Sequence, residues 1–208
     1  MTLPPELRAR VLAAIEAEPA PTRAEHRQKS IRALGLGVGA AMLVMFATGG
    51  PDPGHRTASF FVLSAFLLVV VSSALTVVAL RGFGKSMSRA PAELLVGLAL
   101  ATAPVMWTLE FAMRIVWPQP YAHAASLQSS ILCHLCTFAM ALGPFVALMV
   151  MRRGNDPSHP RAMGAAIGAT AGAWAAVLID LHCGSSDLRH IALAHLLPVM
   201  LLAGLGAL

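Results

Sequence analysis

Six apolar blocks dominate this chain, and they leave it few folds to choose from. They run Ile31 to Thr48, Ala58 to Leu80, Ala92 to Trp117, Ile131 to Met151, Ala162 to His182, and Ile191 to Leu208. Each holds about 18 to 26 residues, the length that crosses a hydrocarbon layer roughly 30 Å thick at 1.5 Å per helical residue. None alternates apolar with polar residues over ten-residue units, so barrel strands are excluded. Of 208 residues, 57% are hydrophobic and only 12% charged, too little charge to cover the surface of a soluble domain. The sequence therefore predicts an all-α fold, a polytopic membrane bundle of six transmembrane helices over 31–208 (31–48, 58–80, 92–117, 131–151, 162–182 and 191–208).

Residues 1–30 precede the first block as a short charged leader. Pro4 and Pro5 come before Glu6, and Leu7, Val11, Leu12 and Ile15 fall on one face before Pro19 and Pro21 end the pattern. This is one amphipathic helix, suited either to the inner leaflet or to a partner's groove, which makes those four residues candidates for partner binding. The first block ends Met45-Phe46-Ala47-Thr48-Gly49-Gly50, without a small-x-small cleavage site, so it reads as a retained helix.

Basic residues set the orientation. Arg8, Arg10, Arg23, Arg27, Lys29 and Arg32 precede helix 1; Arg81, Lys85 and Arg89 lie between helices 2 and 3; Arg152, Arg153 and Arg161 lie between helices 4 and 5. The other three loops hold only Arg56 and Arg189. The positive-inside rule then puts both termini and the basic loops in the cytoplasm of a bacterial inner membrane. The net charge of +5 belongs to those loops and anionic lipid, and implies no direct nucleic-acid contact.

The same topology collects metal-capable and proton-capable groups at the outer face. Cys133, His134 and Cys136 open helix 4, Asp180, His182 and Cys183 close helix 5, and helix 6 carries His190 and, about one and a half turns further in, His195. Glu110 and Arg114, four apart near the outer end of helix 3, can pair on one face. Ionisable groups at membrane depth usually face the bundle interior and mark a site, although an interfacial histidine is more often a hydrogen-bonded one. Cys133 and Cys136 share a helix face and suit a disulfide or a soft metal; Cys183 and a histidine, His182 or His190, complete a set fit for zinc or cadmium. Asp180, Glu110, Arg114, His134 and His195 are then polar support. His190 and His195 stand about 140° apart on an α-helix and cannot both grip one ion without irregular backbone. Gly164, Gly168 and Gly172, at four-residue spacing, form a smooth strip for close helix packing in lipid.

Enzyme signatures are missing: no H-E-x-x-H pair, no G-x-S-x-G elbow, no P-loop, and Gly35-x-Gly37-x-Gly39 lies inside a membrane helix with no strand before it. The chain is expected not to be an enzyme and to need no obligatory cofactor, with zinc, cadmium or another soft ion as a signal. A small metal or solute transporter is the main alternative, and would need polar groups at mid-membrane, where this chain has few. A membrane thiol oxidoreductase using Cys133 and Cys136 ranks third.

From helix 4 onward the order of features resembles the NrsF-like family of bacterial six-helix anti-sigma factors. The matching features are Cys133, Gly143-Pro144, Arg152-Arg153-Gly154, the strip from Gly164, and Leu181-His182-Cys183, with a leader such as Leu3-Pro4-Pro5-Glu6-Leu7. The resemblance implies a membrane protein that holds an extracytoplasmic-function sigma factor inactive at the inner membrane. It also implies that Cys133 and Cys183 sense an external soft metal or oxidant. The chain departs from the family after Cys183, where Gly184-Ser185-Ser186-Asp187 and a histidine-bearing helix replace Pro-Glu-Asp and an aromatic-rich one.

Overall fold

The computed structural model describes residues 4, 6–10, 13, 22–54, 56–80, 89–118, 125–152, 159–185 and 187–208. Six helices follow the six blocks: α1 (Arg23–Ala47), α2 (Ala58–Leu80), α3 (Arg89–Val116), α4 (Leu127–Arg152), α5 (Pro160–His182) and α6 (Leu188–Ala207). No strand occurs among the described residues. The five helices α2 to α6 are long and apolar enough to cross a membrane, consistent with a multi-pass membrane protein; the apolar part of α1, Ile31–Ala47, is shorter. Of the leader, Leu7 is exposed, while Val11, Leu12 and Ile15 lie outside the described residues.

Several helices begin before their apolar blocks, because hydropathy marks where lipid starts and capping marks where a helix starts. Thr22 and Glu25 form a reciprocal box: Glu25 N–H donates to Thr22 Oγ1 (3.2 Å) and Thr22 N–H to Glu25 Oε2 (2.7 Å). That backbone hydrogen bond, with the one from the Thr22 hydroxyl, holds the exposed Glu25 carboxyl below its ordinary range. In the same way Ser126 Oγ accepts from Ser129 N–H ahead of α4, and Asp187 Oδ1 from Arg189 N–H ahead of α6. Pro104 and Pro144 sit inside α3 and α4, which continue through them.

Helix α5 is the axis of the bundle and touches all five others. Its Ala- and Gly-rich sequence explains this, since small side chains let backbones approach where lipid offers no hydrophobic drive. A Cβ at Gly164 would overlap the Gly206 carbonyl of α6, one at Gly168 the Leu202 carbonyl, and one at Gly172 would stand 2.8 Å from Val199 Cα. A second tight seam joins α1 to α4, where a Cβ on Gly37 would lie 2.7 Å from the Gly143 carbonyl oxygen. Between α1 and α2 an apolar cleft of about 500 Å³ reaches Trp174, whose indole N–H donates to Thr76 Oγ1 (2.9 Å).

The described residues between α1 and α2, before α4 and between α5 and α6 meet at one end of the bundle. His182 Nδ1 donates to the Gly50 carbonyl (2.8 Å), Asp52 N–H to the Leu181 carbonyl (2.8 Å), and Ala125 N–H to Asp187 Oδ2 (3.4 Å). Gly54, at φ +56°, comes so near Gly184 that a Cβ would be 2.6 Å from its carbonyl oxygen; only glycine suits both demands. The start of α1, the end of α4 and the start of α5 lie at the opposite end, with Lys29, Arg32, Arg152 and Arg161.

Gly168→Val should destabilise the bundle by about 1–3 kcal/mol through overpacking against α6. Gly204→Ala, where a Cβ meets nothing within 4 Å, should leave the thermal midpoint in micelles unchanged.

Candidate functional site

At the end where these segments meet, four metal-capable side chains converge. Cys133 lies in the second turn of α4, Cys183 caps the C-terminus of α5, and His190 and His195 belong to the first turns of α6. One ligand atom from each lies within 4.8 Å of all the others. Cys183, His190 and His195 are buried, at 8%, 2% and 2% exposure, while Cys133 is half-buried.

An α-helix would separate the two histidines, yet their ring centroids stand 5.2 Å apart with the planes crossed at 80°. The backbone supplies the reason. Residues Ile191–Leu196 form a π-helical turn, in which Leu197 N–H bonds Ala192 O, and residues five apart come onto one face. Pro198 follows and has no N–H to offer the carbonyl of Leu193 or Ala194. Leu193 O is met from α4 by His134 Nδ1, which donates to it (3.0 Å), and Ala194 O (3.0 Å) shares the single Thr137 hydroxyl proton with Cys133 O (2.8 Å). This is the irregular backbone without which the sequence pattern kept His190 and His195 apart.

Hydrogen bonds also orient His190. Ser130 Oγ lies 3.1 Å from Ser126 O and 3.0 Å from His190 Nδ1, which turns Nε2 toward Cys183 Sγ, 3.2 Å away. Cys133 Sγ in turn donates to Cys183 Sγ across 3.6 Å. A relay results: thiol to thiol to imidazole. Nε2 of His195 is buried without a hydrogen-bond partner.

The other residues singled out in the sequence take different places. Cys136 stays a free, half-buried thiol packed on the cluster around Met140 and Ile179, and His182 is committed to Gly50; neither joins the four. His195, read as support, stands inside the cluster, and His134 supports the π-turn. Asp180 turns to a residue that pattern reading left as a loop charge: Arg56 Nη1 bonds Asp180 Oδ1 (2.9 Å), with side chains only 1% and 4% exposed. Arg56 Nη2 reaches the Asp180 carbonyl (2.7 Å), and Ser64 Oγ donates to Asp180 Oδ2 (3.2 Å). The available hint was that Arg56 is a lone base in an otherwise nearly uncharged loop. Glu110 and Arg114 form a buried pair one helical turn apart, and Arg114 also covers the Phe60 ring.

A bundle of apolar helices that gathers a thiol and imidazole cluster at one end, with basic flanks at the other, is consistent with a multi-pass membrane protein. The model of the family described as Negative regulator of sigma F (NrsF) matches residues 13–208, and the chain belongs to that family. The family's description makes the coarse role negative regulation of a sigma factor. No curated protein and no solved structure matches the chain.

Removing one partner of the Arg56–Asp180 pair leaves a buried charge alone. Arg56→Ala should cost about 3–5 kcal/mol, read from thermal unfolding in micelles, whereas exposed Arg189→Ala should cost little.

Proposed function

We propose that this chain is an inner-membrane anti-sigma factor that crosses the bilayer six times, α1 included, with both termini in the cytoplasm. It holds an extracytoplasmic-function sigma factor at the basic end and releases it when Cys133 and Cys183 meet a soft metal or an oxidant in the periplasm. The observation that carries this reading is the 3.6 Å separation of Cys133 Sγ and Cys183 Sγ at the end away from the basic flanks. These thiols come from two different helices, so any bond or ion they share ties α4 to α5.

Balanced chemistry is available to such a pair. A peroxide takes the electron pair from the two thiols, a sulfur–sulfur bond forms, and two protons leave with the reduced oxygens as water. A soft cation instead replaces the two thiol protons.

The route to the other end is continuous. Helix α4 bears Cys133 near its start and meets α1 backbone to backbone at Gly143 and Gly37. Beyond that seam α1 and α4 open into a groove of about 650 Å³ whose inner rim is Glu25, Gln28, Lys29 and Arg32. A displacement of α4 therefore reaches α1, and through it the leader with Leu7, Val11, Leu12 and Ile15. A tenfold loss of affinity for the sigma factor needs only about 1.4 kcal/mol of coupling.

Cys133→Ser with Cys183→Ser should leave the sigma factor bound during cadmium or peroxide stress, read by co-purification and by a sigma-dependent reporter. Release at the wild-type level would remove these thiols from the sensing role. Cys136→Ser should respond as the wild type does.

A further inference from the structure

We propose that Cys133, Cys183, His190 and His195 form a closed, four-coordinate zinc(II) site, with two sulfur and two nitrogen ligands. This deepens the reading of Cys133 and Cys183 as the sensor pair and rests on it only for its biological role. The coordination itself follows from four observations.

The first is size. Tetrahedral zinc, with bonds of about 2.3 Å to sulfur and 2.0–2.1 Å to nitrogen, sets ligand atoms about 3.8 Å apart for two sulfurs and about 3.6 Å for sulfur and nitrogen. Cys133 Sγ and Cys183 Sγ are 3.6 Å apart, Cys183 Sγ and His190 Nε2 3.2 Å, and all four ligand atoms lie within 4.8 Å of one another. These two edges fit a tetrahedron after shifts of a few tenths of an ångström.

The second is the orientation of His190. A ligating imidazole usually gives its second N–H to an outer partner, which fixes the ring and leaves the other nitrogen for the metal. Ser130, 3.0 Å from Nδ1, is placed as that partner, and Nε2 faces the cluster. The third is His195, 2% exposed, whose Nε2 has no hydrogen-bond partner. An orphaned imidazole nitrogen in a water-excluded site is costly unless something binds there.

The fourth is charge. Zinc with two thiolates and two neutral imidazoles is electroneutral, and a neutral centre suits burial at the rim of a bilayer far better than one with a third thiolate. Cys136, three residues from Cys133, stays outside the four. The π-turn is thus the coordination device, since it brings in His195 where an α-helix would have turned it away. Binding releases the two thiol protons, which makes affinity rise with pH.

The test uses the full chain in micelles, reduced and stripped of metal, titrated with zinc(II) and with cobalt(II) as the spectroscopic probe. One equivalent should bind per chain, and cobalt should show the intense visible bands of a tetrahedral centre with thiolate charge transfer. His195→Ala should weaken zinc binding more than the roughly 10–100-fold expected of an outer-shell change. His195→Cys should restore a tetrahedral cobalt spectrum, which separates ligation from misfolding. Pro198→Ala, by restoring an N–H at that position, should straighten the turn and weaken binding while the thiols remain. Cys136→Ser and His182→Ala should bind as the wild type does. A six-coordinate cobalt spectrum, wild-type zinc affinity in His195→Ala, or loss of binding in Cys136→Ser would each overturn the assignment. If zinc fails to bind yet Cys133→Ser with Cys183→Ser still blocks sigma release, the sensor reading stands and the zinc site falls. If zinc binds and release ignores the thiols, the reverse holds.

Discussion

A carbonyl that loses its helical donor within a bilayer must find another, because no water is there to replace it. The rest of the site depends on how this chain meets that demand beside Pro198. The Leu193 carbonyl accepts from His134 of α4, and the Ala194 carbonyl shares the Thr137 hydroxyl with the Cys133 carbonyl. Those hydrogen bonds stabilise a π-turn that would otherwise be the less favourable backbone, and they dock the start of α6 onto α4 at one fixed register. Because of that register, His190 and His195 face the thiols of Cys133 and Cys183 together. Four thiol and imidazole side chains from three helices then meet at this end of the bundle.

A buried ion pair and hydrogen bonds tie this end together. Asp180 sits one turn before Cys183 and is locked to Arg56, which also bonds three backbone carbonyls, so the C-terminus of α5 is pinned to the first connection. His182 pins the same turn to Gly50. Away from the site the bundle is held by small residues rather than polar ones, with α5 against α6 and α1 against α4 at backbone contact.

Much of this was legible in the chain. Block length gave the helices, the basic loops divided the two ends, and four-residue spacing picked out Gly164, Gly168 and Gly172, which meet α6. The (i, i+4) rule found Glu110 with Arg114. What pattern could not give was anything set by tertiary context. Helical periodicity assumes 3.6 residues per turn, so it turned His195 away from His190, and only the pairing of Pro198 with donors on another helix reverses that. Cys136 shares a face with Cys133 in the sequence, but nearness along one helix says nothing about which other helices arrive there. Arg56 looked like a solvated loop charge because its partner, Asp180, is 124 residues further along. The helix starts at Thr22, Ser126 and Asp187 were written in polar capping residues, which a hydropathy reading passes over.

The central claim is that the α4 and α5 thiols stand side by side in one chain at the rim of the bundle. Mild copper-phenanthroline oxidation of the Cys136→Ser variant in intact membranes, followed by peptide mass spectrometry, tests it most directly. The account predicts a Cys133–Cys183 cross-linked peptide formed within a single chain and undone by reductant. Two free thiols after oxidation, or links only between separate chains, would contradict it.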